Sequence, residues 1–239
     1  MDGERIEIVL PVALKEVFED VSPAFTLETG DTFEVALMLN PEVPSYIATG
    51  TAWSMAFSNP QYIQEVVNTG ACKGGVNALG YSPLSFAVRG SDAVEPIYRR
   101  EDIAAFLLEF KSIAITDGGT SGAQFSRLAA DLNIEREMQS KLRLLPGGGP
   151  MAALQNGDVE IAGLPLTNIA PVSGVYAKAL CPFDMDVHID LAFCLNAKAN
   201  LATQRFAHWL LDPRRHDHLH RLGVRQTVET VVPDHGSTD

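Results

Sequence analysis

The sequence predicts an α/β fold, and three observations predict it. Short apolar runs alternate with segments of helical spacing along the whole chain. Glycine and proline stand at most of the changes from one to the other. The stretch 112–132, SIAITDGGTSGAQFSRLAADL, shows the repeating unit in full. Its apolar Ile113, Ala114 and Ile115 read as a buried strand, and Asp117, Gly118 and Gly119 as a turn. Thr120 and Ser121 then open a helix whose apolar face is Phe125, Leu128, Ala129 and Leu132. Strands that alternate with helices imply parallel sheets.

The other elements follow the same logic. Ile6, Ile8 and Leu10 alternate as a first strand. Leu14, Val17, Phe18, Val21 and Phe25 keep helical spacing until Gly30 ends the segment. Residues 33–39 read as a strand and 40–44 as a polar loop broken by prolines. Residues 53–57 form a short apolar strand. Pro60 is a favoured first helical residue, and that helix runs through Tyr62, Ile63, Val66 and Val67 to Gly70. Strands are expected at 84–88, 142–145, 159–163 and 187–195. Helices are expected at 101–110, from Pro150 to Gly157, at 201–211 and at 213–222.

Composition bounds the function. The 239 residues can bury a sizeable core, as one large domain or two lobes. A 46% hydrophobic and 20% charged content is that of a globular chain. The net charge of −12 argues against nucleic acid and anionic membranes as partners. It leaves a small anion open, because local N–H groups can seat one inside an acidic protein. No apolar run approaches membrane-spanning length, so no membrane insertion is expected. Asp2 and Glu4 follow Met1 and no secretory leader is legible, which points to the cytoplasm, or to the periplasm if a leader was removed. Cys72, Cys181 and Cys194 lack metal-ligand spacing and read as reduced thiols.

The start of the 120–132 helix is the main candidate site. A glycine turn leaves free N–H groups at the positive end of the helix dipole, with the hydroxyls of Thr120 and Ser121 beside them. Ser and Thr also cap helices with no ligand present. Ser58 and Asn59 follow a strand's carboxyl end, where α/β clefts take ligands, and equally fit an N-cap before Pro60. Lys15 lies within reach of a carboxylate or is simply solvated. Thr167 and Asn168 follow the 159–163 strand and face either a ligand or a plain loop. Gly147, Gly148 and Gly149 lack the lysine of a P-loop and read as a tight turn that brings a helix to the cleft. His216 and His220 share a helix face, but no carboxylate or cysteine completes a metal site. No cofactor and no metal are expected.

An ordered set of stretches carries a family resemblance. It comprises the helix from Leu14 and Lys15 with SPAFTLETG, then AFSNPQYIQEVVNTG, SPLSFAVRG, DGGTSGAQFSRLAADLNI, LLPGGGPMAALQNGDVEIAG and RFAHWLLDP. In this order the chain resembles the type 2 periplasmic-binding-protein fold, in the branch of the molybdate-binding proteins. The resemblance implies two α/β lobes joined by two crossings, near 81–86 and 188–194, with a small anion between them. Lobe one would be 1–83 plus 192–239, and lobe two 84–191. A permease of an ABC transporter is implied as partner only if the chain is exported.

The chain departs from oxyanion-binding relatives in two loops. The first-strand loop is Pro11, Val12 and Ala13, with no hydroxyl. The second, residues 40–45, contains Asn40 and Glu42, and a carboxylate in a closed cleft would repel a tetrahedral dianion. These departures favour an organic acid whose apolar part faces Val12 and whose carboxylate faces Thr120 and Ser121. The branch also implies a second reading, an isomerase of the aconitate isomerase type, in which Glu42 is the general base that shifts a double bond in a di- or tricarboxylate.

Overall fold

A computed structural model of the chain describes residues 3–90 and 95–226. The alternation of strand and helix holds. β1 (Arg5–Pro11), β2 (Thr32–Met38) and β3 (Met55–Ser58) pair in parallel, with β1 central. β5 (Ile113–Thr116), β6 (Leu142–Leu145) and β7 (Ile161–Pro165) form a second parallel group, with β5 central. Parallel strands buried on both faces read as short apolar runs, which is why Ile113, Ala114 and Ile115 announce themselves.

The expectation of purely parallel sheets is corrected by three strands. β4 (Cys72–Arg89), β8 (Val175–Leu180) and β9 (His188–Asn196) all pair antiparallel to their neighbours. β4 is 18 residues long and links the two groups. Up to Pro83 it pairs with β9, which itself pairs with β3. From Leu84 onward it pairs with β7 and β8. β9 starts at His188, opposite Pro83. The passage from one sheet to the other therefore falls where β4 and β9 run side by side.

The sequence showed only the second half of β4. Its first half carries Gly74, Gly75 and Gly80, and its register slips between Lys73 and Asn77 and between Ala78 and Gly80. Such bulges break the two-residue alternation by which a strand is read. At Gly80 the backbone is at φ +134°, and a Cβ there would stand 2.3 Å from the Arg225 carbonyl oxygen. The loop expected at 40–44 is also corrected. A 3-10 turn, Asn40–Glu42, leads into a helix, α2 (Val43–Ala48). Pro44 sits in its first turn, where no N–H is required, and Val43 and Ile47 bury one face.

The main helices are α1 (Lys15–Thr29), α3 (Pro60–Asn68), α4 (Arg100–Glu109), α5 (Thr120–Asp131), α6 (Glu135–Gln139), α7 (Gly149–Asn156), α8 (Leu201–Leu210) and α9 (His216–Arg221). The core falls into separate clusters. One, around Phe25, Phe57, Phe193 and Phe206, packs α1 and α8 on the β1–β3–β9 side. Another, around Phe86, Phe106 and Phe125, packs α4 and α5 on the β4–β5–β7 side. Cys181 and Cys194 are buried thiols, and burial pushes the Cys181 thiol up to about 12.

Gly122, in the first turn of α5, is a tight joint near the cleft. A Cβ on it would lie 2.3 Å from the Thr116 carbonyl oxygen at the end of β5. Because the obstacle is backbone, Gly122→Ala is expected to lower stability by roughly 1–3 kcal/mol, as overpacking does. Urea unfolding checks this: the midpoint falls while the slope is unchanged.

Candidate functional site

The carboxyl ends of the parallel strands in both halves converge on one cavity of about 240 Å³. From the first half come Val12, Ala13, Lys15 and Glu16 after β1, and Leu39 and Asn40 after β2. From the second come Thr116 at the end of β5, Gly119, Thr120 and Ser121 after it, Gly148, Met151 and Gln155 after β6, and Asn168 after β7. Strand carboxyl ends are where α/β sheets take ligands, because helix N-termini and loops collect there.

α5 points its start at this space. Its N-cap is Gly119, which has no side chain to offer, so the first N–H groups of the helix are left without a capping acceptor. Ser121 is 7% exposed and lines the cavity, and its hydroxyl takes no hydrogen bond among the described residues. Unclaimed N–H donors, a hydroxyl and the positive end of a 12-residue helix form a seat for one anionic group. Val12, Leu39, Met151, Leu164 and Ile189 supply apolar wall around it.

Other predicted polar residues hold the two halves together. The Thr120 hydroxyl donates to Asn59 Oδ1 at 2.7 Å, across the cleft, and Asn59 Nδ2 donates to the Asp190 carbonyl at 2.7 Å. Asn59 holds the N-cap position of α3 but its side chain makes no capping bond to the helix. Ser58 is buried with its hydroxyl 3.0 Å from the Asn40 carbonyl and 3.1 Å from Asn40 Oδ1. Thr167, fully buried, donates to the Ala13 carbonyl at 2.6 Å. Asn168 Nδ2 lies 2.8 Å from the Val12 carbonyl and also reaches Glu16 Oε2. Lys15 lines the cavity, but its ammonium lies 2.8 Å from Glu19 and 4.0 Å from Glu16. The glycine turn comes close too: a Cβ on Gly147 would lie 3.1 Å from Leu39 and 3.4 Å from Val12.

Glu42 is not among the lining residues. It is exposed, and its carboxylate turns back to accept the Leu39 N–H at 2.7 Å. A carboxylate that caps its own turn on the surface is not placed to take a proton inside the cavity. The carboxylate of the cavity is Glu16 instead, with 21% of its side chain exposed. Burial pushes its carboxyl above the ordinary value of 4.5, against the Asn168 hydrogen bond and the charge of Lys15. An acid in the first turn of a helix reads in sequence as a complement to the dipole, which hides this placement. Among the described residues no three metal-capable side chains gather, and His218 pairs with Asp20 on the outer face of α1.

Comparison with known proteins agrees with this architecture. Residues 6–225 match a family model described as bacterial extracellular solute-binding protein. No curated protein is significantly similar to the chain. The periplasmic molybdate-binding protein of Azotobacter vinelandii superposes with a TM-score of 0.74 at 14% identity, covering 93% of this chain and 99% of that one. The sulfate-binding protein SubI of Mycobacterium tuberculosis gives 0.68 at 12% identity, over 94% and 88%. PEB3 of Campylobacter jejuni, solved with L-phospholactate, gives 0.64 at 12%, over 93% and 100%. At these identities the likeness is one of fold.

The burial of Glu16 has a thermodynamic sign. Its carboxyl titrates higher in the folded chain than in the unfolded one, so the native state disfavours the ionised form. The stability this leaves is intact below pH 4.5 and is lost as pH rises through the raised value. Glu16→Gln removes that loss. Thermal melting across pH is expected to show the variant melting above the wild type at neutral pH, with the gap closing as pH falls toward 4.5.

Proposed function

Because the chain belongs to the bacterial extracellular solute-binding protein family, we propose that it is a receptor that holds one small anion between its lobes and changes no bond in it. The observation that carries this reading is the uncapped start of α5 opening on an interlobe cavity beside the unengaged Ser121 hydroxyl. The anionic group sits on those donors. The apolar wall of Val12, Leu39 and Met151 takes a carbon skeleton better than it takes a bare inorganic ion, which favours an organic carboxylate over molybdate or sulfate. The structural neighbours named above are a molybdate-binding protein, a sulfate-binding protein and a protein solved with L-phospholactate, so small anions are their common chemistry.

The family is one of extracellular proteins, which favours an exported receptor over a cytoplasmic one. Its partner is then a membrane permease of an ABC transporter, to which the two lobes present the ligand. Among the described residues no helix is long and apolar enough to cross a membrane. The isomerase reading depended on Glu42 and has no base in the cavity at that position.

Calorimetry with a panel of small carboxylates and oxyanions tests the assignment. Ser121→Ala is expected to weaken binding of the best ligand by about 0.5–3 kcal/mol, the range for one hydrogen bond to a neutral or charged partner. Glu42→Gln, outside the lining, is expected to leave affinity unchanged. Equal affinities for wild type and Ser121→Ala would remove Ser121 from the seat.

A further inference from the structure

Anion binding alone does not use one group of the cavity. Glu16, after β1, lines the same cavity as the start of α5, which follows β5 in the other half of the molecule. Its orientation is fixed: Asn168 Nδ2 donates to Oε2 and is itself anchored on the Val12 carbonyl. Its ion pair with Lys15 is a long one, 4.0 Å from Oε1, because the Lys15 ammonium is drawn to Glu19 at 2.8 Å. A carboxylate offers about four lone-pair sites, and Asn168 fills only part of that capacity. What remains faces the cavity as a strong acceptor. A ligand made only of acceptor oxygens would be repelled there, while a ligand with an O–H or N–H group would form a charge-assisted hydrogen bond.

We propose that Glu16 is a specificity-determining residue, which selects small organic acids that carry a hydroxyl or ammonium group in addition to the carboxylate. This rests on the anion-receptor reading: the carboxylate sits at α5 with Ser121, and the donor reaches across to Glu16. The device explains why a receptor keeps a desolvated carboxylate in an anion site. Donor-free acids and fully deprotonated oxyanions place acceptor oxygens near this carboxylate without giving it a further donor, which penalises them beyond the loss of one contact.

The test is calorimetry on matched acids that differ by one substituent. Succinate is compared with L-malate and L-aspartate, and propionate with L-lactate and L-alanine, with sulfate as a donor-free inorganic anion. In wild type, at least one hydroxyl- or ammonium-bearing acid is expected to bind about ten- to a hundredfold more tightly than its donor-free partner, the worth of a hydrogen bond to a charged group. In Glu16→Gln that ratio is expected to collapse, with the donor-free acid and sulfate gaining affinity; melting curves confirm that the variant is folded. If wild type binds succinate, propionate or sulfate as tightly as the substituted acids, the receptor reading stands and the role of Glu16 is overturned. The same holds if Glu16→Gln keeps the wild-type ratio. If wild type binds none of these acids and no sulfate, the receptor reading falls and this inference falls with it.

Discussion

Strand β4 serves two sheets, and the cleft exists because of it. Its first part is hydrogen-bonded to β9 and its last part to β7 and β8, with the exchange between Pro83 and Leu84. A continuous strand leaves the two sheets little freedom to separate, yet gives each its own core of aromatic residues. The carboxyl ends of β1, β2, β5, β6 and β7 then border one space. Each of these strands hands the chain to a helix or a turn there. The donors that line the cavity are the local consequence of parallel strands ending in one place.

The polar residues around that space divide into two kinds. Asn59, Thr120, Thr167 and the Val12 contact of Asn168 join one half of the molecule to the other. They satisfy buried polar groups that would otherwise cost free energy, and they fix the relative position of the lobes. Ser121, the first N–H groups of α5 and Glu16 are left facing the cavity. Thr120 and Ser121 are adjacent in sequence and fall into different kinds, because consecutive helix positions point about 100° apart. One hydroxyl meets Asn59; the next meets the ligand space.

Much of this was legible in the sequence. The α/β class follows from alternating periodicity, and the start of α5 from a glycine turn before two hydroxyl residues. The antiparallel pairing was not legible, although β9 and the second half of β4 were read as strands. β8 alternates Val175, Ala177 and Ala179 with Tyr176 and Lys178, too weakly apolar on its inner face to stand out. The first half of β4 was hidden by glycines and register slips. In the site, Asn40 and Asn168 line the cavity while Asn59 and Thr167 bond to the other half of the molecule, and what a hydroxyl or amide bonds to depends on that other half, which no local pattern encodes. Glu42 and Glu16 show the same limit. Both are acids at the start of a helical turn, one capping Leu39 on the surface and the other lining the cavity. Only the crossing of β4 and β9 decides which is which.

The central claim is that a small anion sits on the start of α5, between the lobes. Amide NMR during titration with the tightest-binding carboxylate tests it most directly. The account predicts that the largest N–H shifts fall on Thr120, Ser121 and Gly122, with further shifts at Val12 and Asn168 on the facing loops. Saturating shifts confined to residues away from this cavity, with the amides of the α5 start unmoved, would contradict it.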